Sequence, residues 1–468
     1  MTNAQPPILT KIIATLGPAS ADVPTLVRMI EEGVRVVRIN FSHGTLDDFE
    51  RMLHVVREAS RAAAEPIAAL GDLCGPKIRC LGVEGGTLEL ETGDTVRFTK
   101  QPLDAKRDPI TNAVTLGTTF PDIIDDAQPG HRLLINDGAI RMLIRDKTEG
   151  DNPELIASVT VGGTLSAKKG INLPDSDLNA PSLTEWDEQC ARFAMDKGFD
   201  YLALSFVRRA QDVERLNNLL HDHAKTKPEL QQRPHIPIIA KIEMPQAIEA
   251  LEGILSAADG VMVARGDLGV EMDLARVPIL QKQIIKTAHD HGKPVIVATQ
   301  MLESMIENAS PTRAEVSDVA NAILDGADAT MLSGETAVGR FPVQTVNYMG
   351  WTARRAEQHL EDNLLREVNP PKHARESKHR PAALAHGVSV MVKDLQAKCV
   401  VMWTATGGGV RYMSQNRLAV PIVALCERPE TLRTMALMFG VRPVYAQTPS
   451  DPKLVLETAD QVLLARGW

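Results

Sequence analysis

The chain has 468 residues, too many for one hydrophobic core, with 44% hydrophobic and 24% charged residues as in ordinary globular proteins. Its formal charge of −9 argues against nucleic acid as a partner, and no apolar run reaches the roughly 18 residues of a membrane span. Met1–Pro7 is polar, without a signal peptide's apolar core, and the five cysteines are scattered without metal-ligand spacing, so a reducing, cytoplasmic location is expected.

Eight short Val/Ile/Leu/Ala runs, each ending in charged and polar residues, mark the expected strands. They are Ile12–Leu16, Val34–Ile39, Ile67–Leu70, Tyr201–Phe206, Ile236–Ala240, Val261–Ala264, Val295–Ala298 and Ala329–Leu332. Helical spacing fills most of the intervals, so the fold class is α/β, a (β/α)8 TIM barrel expected over residues 1–74 and 175–353. From about Gly75 to Pro174 the pattern changes to short alternating strands set off by turns. Thr87–Leu90 precedes Gly93-Asp94, and Leu133–Ile135 precedes Asn136-Asp137-Gly138. This predicts an inserted all-β, barrel-like domain between the third strand and its helix, hanging over the barrel mouth as a lid.

Farther along, a helix is expected from Pro245 to about Glu252, after the strand carrying Lys241. Another starts with Ser310 as cap and Pro311 at the first helical position, stripes Val316, Val319, Ala320 and Ile323 along one face, and closes at Gly326. A charged, poorly periodic stretch, Arg354–Arg380 with Pro370-Pro371, leads into an α/β domain over 354–468 with strands at Cys399–Thr404 and Ile422–Leu425.

The strand ends carry the chemistry. Lys241 and Glu243 stand two apart, as do Arg265 and Asp267, and alternate strand residues share a face, so one orientation sends all four to the same mouth. Arg38, Asn40 and Ser42 repeat the spacing on the second strand, and Asp72 follows the third. Two carboxylates on adjacent strands suit a hard divalent cation, and Lys with two Arg suits a phosphoryl group, which is the equipment of phosphoryl transfer. The alternative is a set of ion pairs that merely close the barrel rim.

Long motifs then carry a family resemblance. Val36-Val37-Arg38-Ile39-Asn40-Phe41-Ser42-His43-Gly44, Ile239-Ala240-Lys241-Ile242-Glu243 and Met262-Val263-Ala264-Arg265-Gly266-Asp267-Leu268-Gly269 resemble pyruvate kinase. So do Ala298-Thr299-Gln300-Met301-Leu302-Glu303-Ser304-Met305, Pro311-Thr312-Arg313-Ala314-Glu315 and Leu332-Ser333-Gly334-Glu335-Thr336-Ala337. The resemblance implies transfer of the phosphoryl group of phosphoenolpyruvate to ADP, giving pyruvate and ATP, in a homotetramer. It implies that Glu243 and Asp267 hold Mg2+ or Mn2+, that Lys241 stabilises the phosphoryl group and the developing enolate, and that Arg38 binds the transferring phosphate. Thr299 and the backbone at Gly266 would hold the substrate carboxylate, with Thr299 near the proton delivered to the enolate carbon. Arg79, Lys169 and, less specifically, His43 resemble nucleotide contacts; His43 is equally readable as a structural histidine.

Two departures stand out. The third-strand motif reads Asp72-Leu73-Cys74-Gly75-Pro76-Lys77-Ile78-Arg79, where many members carry Thr-Lys after the Asp and Glu after Gly-Pro. Asn40, Ser42 and Asp72 would still offer oxygens to a monovalent cation, but Leu73 has lost a hydroxyl. Lys77 would supply the ion's charge from within the chain, so K+ is not expected to be required. The family also usually continues past Ala465-Arg466-Gly467 with two more strands, whereas this chain ends at Trp468. Thr404-Ala405-Thr406-Gly407-Gly408-Gly409 resembles the family's effector-phosphate turn, but Gly408 replaces its basic residue, leaving a phosphorylated effector and a plain structural turn both open. Two rival functions are a Schiff-base aldolase acting through Lys241, disfavoured by Glu243 beside it, and a ligand-binding sensor without activity.

Overall fold

The structure, a computed structural model, describes residues 7–176, 181–230, 235–362, 372, 380–451 and 453–465. Eight parallel strands close a barrel in chain order: β1 Lys11–Thr15, β2 Val34–Asn40, β3 Ala68–Asp72, β4 Tyr201–Leu204, β5 Ile238–Ile242, β6 Gly260–Ala264, β7 Val295–Ala298 and β8 Ala329–Leu332. β1 pairs with both β2 and β8, so no edge remains. Strand β5 runs two residues farther than expected and takes Lys241 into the ladder opposite Met262.

Residues of alternate pleat fill the interior, among them Ile13, Val36, Leu70, Ala203, Ile239, Met262, Ile296 and Met331. The other faces pack on the surrounding helices in a larger core that includes Phe41, Phe49 and Phe199. Gly71 on β3 is required there: a Cβ would lie 2.7 Å from the Phe41 ring. That close approach lets Phe41 follow Asn40 without pushing β3 away.

Capping chemistry sets the helix starts. Thr45 and Thr184 form capping boxes with Asp48 and Asp187 at the heads of Leu46–Ala62 and Glu185–Lys197. The helix expected to start at Ser310-Pro311 begins instead at Arg313 and runs to Leu324, because Thr312 and Glu315 make the reciprocal capping box. Gly326, at φ +106°, closes it. The single helix expected from Pro245 is two, Pro245–Glu249 and Leu251–Ala257, parted at Ala250, whose ψ of 13° opens the turn.

Between β3 and the helix Glu185–Lys197 lies the insert, built of β-strands apart from the single-turn helix Ile123–Asp126. Its seven-stranded sheet runs in the order Ile171–Asn172, Arg132–Ile135, Ile140–Lys147, Glu154–Val161, Thr95–Thr99, Val114–Gly117 and Lys106–Arg107. The turn Asn136-Asp137-Gly138 takes positive φ at all three residues, as its composition foretells. The insert has its own core around Val96, Phe98, Ile135, Met142 and Leu155. Its outgoing and returning legs lie side by side, with Cys80 N donating to Lys169 O at 2.8 Å and Ile171 N to Ile78 O at 2.8 Å.

The C-terminal part carries a three-stranded parallel sheet, Val400–Trp403, Ile422–Cys426 and Val441–Tyr445, with the middle segment central. Ala436 and Leu437 join the barrel's inner core, so this part plugs the barrel's amino end. Arg433 and Arg57 both bind the buried Asp200 at 2.9 Å, and Arg417 binds Asp328 at 2.7 Å. The stretch expected to be an irregular linker from Arg354 continues the helix Pro342–Asp362 as far as Asp362. Its later portion with Pro370-Pro371 lies outside the described residues, as do Arg466–Trp468 and most of Met1–Pro7. Among the described residues no helix is long and apolar enough to cross a membrane.

Candidate active site

Strand register assembles the charges. β2 lies between β1 and β3, with Arg38 opposite Thr15 on one side and Asn40 opposite Asp72 on the other. Asp72 lies opposite Ala203 of β4, next to β5 and Lys241. The side chains converge accordingly. Arg38 Nε donates to Asp72 Oδ2 at 2.6 Å and Arg38 Nη1 to Thr15 Oγ1 at 3.2 Å. Lys241 Nζ lies 3.5 Å from Asp72 Oδ1 and 2.9 Å from Glu243 Oε1, and donates to Ser205 Oγ at 2.7 Å. Glu243 Oε2 accepts from Phe206 N at 2.7 Å.

These four charged groups alternate in sign and are almost dry; Asp72 is 1% exposed and Glu243 is 0% exposed. Burial works against the Asp72 carboxylate, but Lys241 and Arg38 more than offset it and hold its pKa below the ordinary value. Burial likewise works against the Lys241 ammonium, yet Asp72 and Glu243 raise its pKa well above normal. Lys241 is therefore a permanent cation, not the free amine that a Schiff base requires. Burial raises Glu243; Lys241 pulls it down and Asp267 pushes it up again.

Asp267 sits in the first turn of the helix Arg265–Glu271 and lines a cleft of about 960 Å3 between barrel and insert, with Gly266, Lys77, Arg132 and Gln300. Thr299 Oγ accepts from Gly266 N at 2.7 Å and donates to Ala298 O at 2.6 Å. Thr299, Gln300 and Phe206 all have positive φ, at 70°, 54° and 54°. Left-handed backbone at a β-branched residue is costly and clusters where side chains must be aimed.

The donor set suits a divalent cation. Burial and the neighbouring Asp267 both raise the cost of ionising Glu243, and a hard cation between oxygen ligands relieves that repulsion.

Arg265 departs from expectation. It still borders the cleft, but its guanidinium is bound to Asp318 at 2.6 Å and to the Thr299 carbonyl at 2.8 Å, because a buried guanidinium needs a carboxylate partner. It braces the Thr299 turn from behind. Glu335 also serves the backbone, accepting from Ser333 N at 2.6 Å and Leu302 N at 3.1 Å.

The expected monovalent-ion oxygens are engaged within the chain. Asn40 Oδ1 accepts from Ser42 N at 3.1 Å, the Ser42 hydroxyl pairs with the Cys74 thiol, and Leu73 is buried with its carbonyl accepting from Ser205 Oγ at 2.7 Å. Burial raises the Cys74 pKa, which speaks against a reactive thiolate. Lys77 is exposed, lies along Gly170 and lines the cleft. Arg79 and Lys169 meet on the two legs of the insert, with Arg79 bridged to Gly170 and its Nη1 donating to Lys168 O at 2.9 Å. His43 is exposed at the mouth of β2.

Sequence reasoning missed Ser205 and Thr15, which hold Lys241 and Arg38. Both stand at or just past the carboxyl end of a barrel strand, the rule that found the others.

The matched family models are "Pyruvate kinase, barrel domain" over residues 8–346 and "Pyruvate kinase, alpha/beta domain" over 382–468. Among curated proteins, a pyruvate kinase of Corynebacterium efficiens is 39% identical over 460 residues, covering 97% of this chain and 91% of that protein. One of Geobacillus stearothermophilus is 40% identical over 460 residues, covering 98% and 75%. A crystal structure of a Cryptosporidium parvum pyruvate kinase superposes with a TM-score of 0.89 at 32% identity, covering 98% of this chain and 91% of that one.

The alternating charges make a stability prediction. Asp72→Asn leaves Arg38 and Lys241 facing a neutral buried group and is expected to cost about 3–5 kcal/mol at neutral pH. Because the folded pKa of Asp72 is depressed, its contribution is present above the ordinary carboxylate range and is lost as pH falls through the folded value. Urea unfolding followed downward from neutral pH should show the gap between wild type and variant narrowing only at the acid end. A gap constant at every pH would assign the loss to packing.

Proposed function

The chain belongs to the pyruvate kinase family and is a phosphotransferase, and we propose that it moves the phosphoryl group of phosphoenolpyruvate to ADP with a divalent cation and without potassium. The observation that carries this reading is Lys241 locked between Asp72 and Glu243 as a permanent cation at the barrel mouth.

Glu243 and Asp267 would hold the cation, which when bound supplies positive charge against the carboxylate and phosphate of the substrate. Arg38, fixed through Nε and Nη1, keeps further N–H donors for the transferring phosphate. The phosphoryl group leaves the enol oxygen for the terminal oxygen of ADP, and the Lys241 ammonium stabilises the negative charge left on the enolate. Ser205 keeps that ammonium from swinging toward either carboxylate alone. Thr299, aimed by its left-handed backbone and braced by Arg265, holds the substrate carboxylate beside Gly266. Arg79 and Lys169, on the legs of the insert, take the nucleotide phosphates, so closing the insert over the cleft brings ADP in and keeps water out.

Potassium independence rests on two features. Ser42 and the Leu73 carbonyl already have partners within the chain, and Lys77 adds a fixed positive charge to the cleft. A homotetramer, implied by the family, is supported by the exposed Leu384 and Met391 on the helix Arg380–Asp394 and by Leu395 just past its end.

Two measurements test the reading. Lys241→Met should retain Mn2+ and phosphoenolpyruvate binding while kcat falls by at least about a thousandfold, since a group acting on transition-state charge shows in kcat. Near-normal turnover would remove Lys241 from the chemical step. In buffer whose only monovalent cation is a bulky organic one, the wild type should be active and gain less than about threefold on adding potassium, the like charge of Lys77 making a mobile ion redundant. An enzyme inert until potassium is added would refute that part.

A further inference from the structure

Glu271 ends the helix that carries Asp267 and is 3% exposed. Its Oε1 accepts from Asn172 Nδ2 at 2.7 Å, while Oε2 is buried with no hydrogen-bond partner among the described residues. Asn172 lies on the returning strand of the β-insert, paired with Leu134 of Arg132–Ile135. The contact therefore crosses from the barrel's cation-binding helix to the insert.

The groups facing Glu271 come from three directions. Its carboxyl pKa is raised to about 7 as the net of several causes: burial pushes it up most, the Asn172 bond draws it down, Asp267 and Glu243 push it up, and Arg132 of the insert draws it down. Arg132 is itself held by Asp175 through bonds of 2.9 Å and 2.7 Å. Glu271 thus both feels the charge on the Glu243–Asp267 pair and touches the insert, and the phosphoryl-transfer steps above leave it unused.

We propose that Glu271 is a positioning residue that links occupancy of the Glu243–Asp267 pair to the orientation of the β-insert, a reading that rests on the divalent cation being held by that pair. With the pair empty, two neighbouring carboxylates favour the protonated form of Glu271, joined to the insert by a neutral hydrogen bond. A cation on the pair removes that negative field, and Glu271 gives its proton to solvent. The carboxylate then accepts from Asn172 in a charge-assisted bond, about twice as strong as a neutral one, and its unused oxygen attracts Arg132. The insert is drawn onto the cation-loaded barrel before the nucleotide closes it. In reverse, a seated insert stabilises the ionised Glu271 and so strengthens cation binding, as linkage requires.

Calorimetry of Mn2+ binding near neutral pH, in buffers of different ionisation enthalpy, reads the released proton directly. Wild type should release roughly half a proton per site at that pH, since a group with pKa near 7 is about half protonated there. Glu271→Gln, which keeps an acceptor but cannot ionise, should abolish that share and weaken Mn2+ by up to about tenfold, the scale of one charge at short range. Hydrogen exchange of Ile171–Asn172 and Arg132–Ile135 should slow on adding Mn2+ in wild type but not in Glu271→Gln. Asn172→Ala should retain the proton release and lose the slowing. Proton release unchanged in Glu271→Gln, or no slowing in wild type, overturns the proposal, and the wild-type and Asn172→Ala measurements decide it even if Glu271→Gln does not fold. Failure to bind Mn2+ at all overturns the cation assignment and the linkage with it; normal Mn2+ binding without proton release overturns the linkage alone.

Discussion

Four buried charges that must be satisfied together constrain this molecule most. Arg38, Asp72, Lys241 and Glu243 come from three barrel strands and are dry enough that any one alone would cost several kcal/mol to bury. They are tolerable only because they alternate in sign and because Thr15, Ser205 and the Phe206 amide take further bonds. That arrangement exists in one register of the strands alone, since a shift by one residue turns each side chain to the opposite face. Barrel closure, interior packing and the space Gly71 leaves for Phe41 all serve that register.

The same network explains how the site divides its labour. Lys241 stays charged where an apolar pocket would neutralise it, so it serves as a fixed positive charge and not as a nucleophile. Asp267 and Glu271 sit farther out on a helix whose start is pinned by Thr299 and whose end meets the insert. Between that helix and the insert lies the cleft, bordered by Lys77, Gly266 and Asp267. The charged strand ends and the contact with the insert therefore meet on one short helix.

Much of this was legible in the residues. The eight apolar runs are rich in β-branched side chains and bounded by polar residues, so the barrel strands lie within two residues of their expected limits. Lys241 and Glu243 meet because alternate strand positions share a face. The rule does not reach Arg265, because the strand ends at Ala264 and Arg265 opens a helix; it borders the cleft, but the Asp318 that binds its guanidinium is on another helix and no local pattern reveals that pairing. Ser205 and Thr15 escaped notice because a hydroxyl becomes informative only when the charge it holds is known. Thr312 displaced Ser310-Pro311 as the helix start because two capping signals lay side by side and the reciprocal one prevailed. Glu271 reads in sequence as an ordinary helix-end carboxylate; its significance lies in the insert folding back against it.

The central claim, that this ring of charges carries a phosphoryl group between phosphoenolpyruvate and ADP, is tested most directly by phosphorus NMR of the purified chain with both compounds and Mg2+. The expected result is loss of the phosphoenolpyruvate and ADP resonances with matching growth of the three resonances of ATP. Release of inorganic phosphate with ADP unchanged, or no change at all, would contradict it.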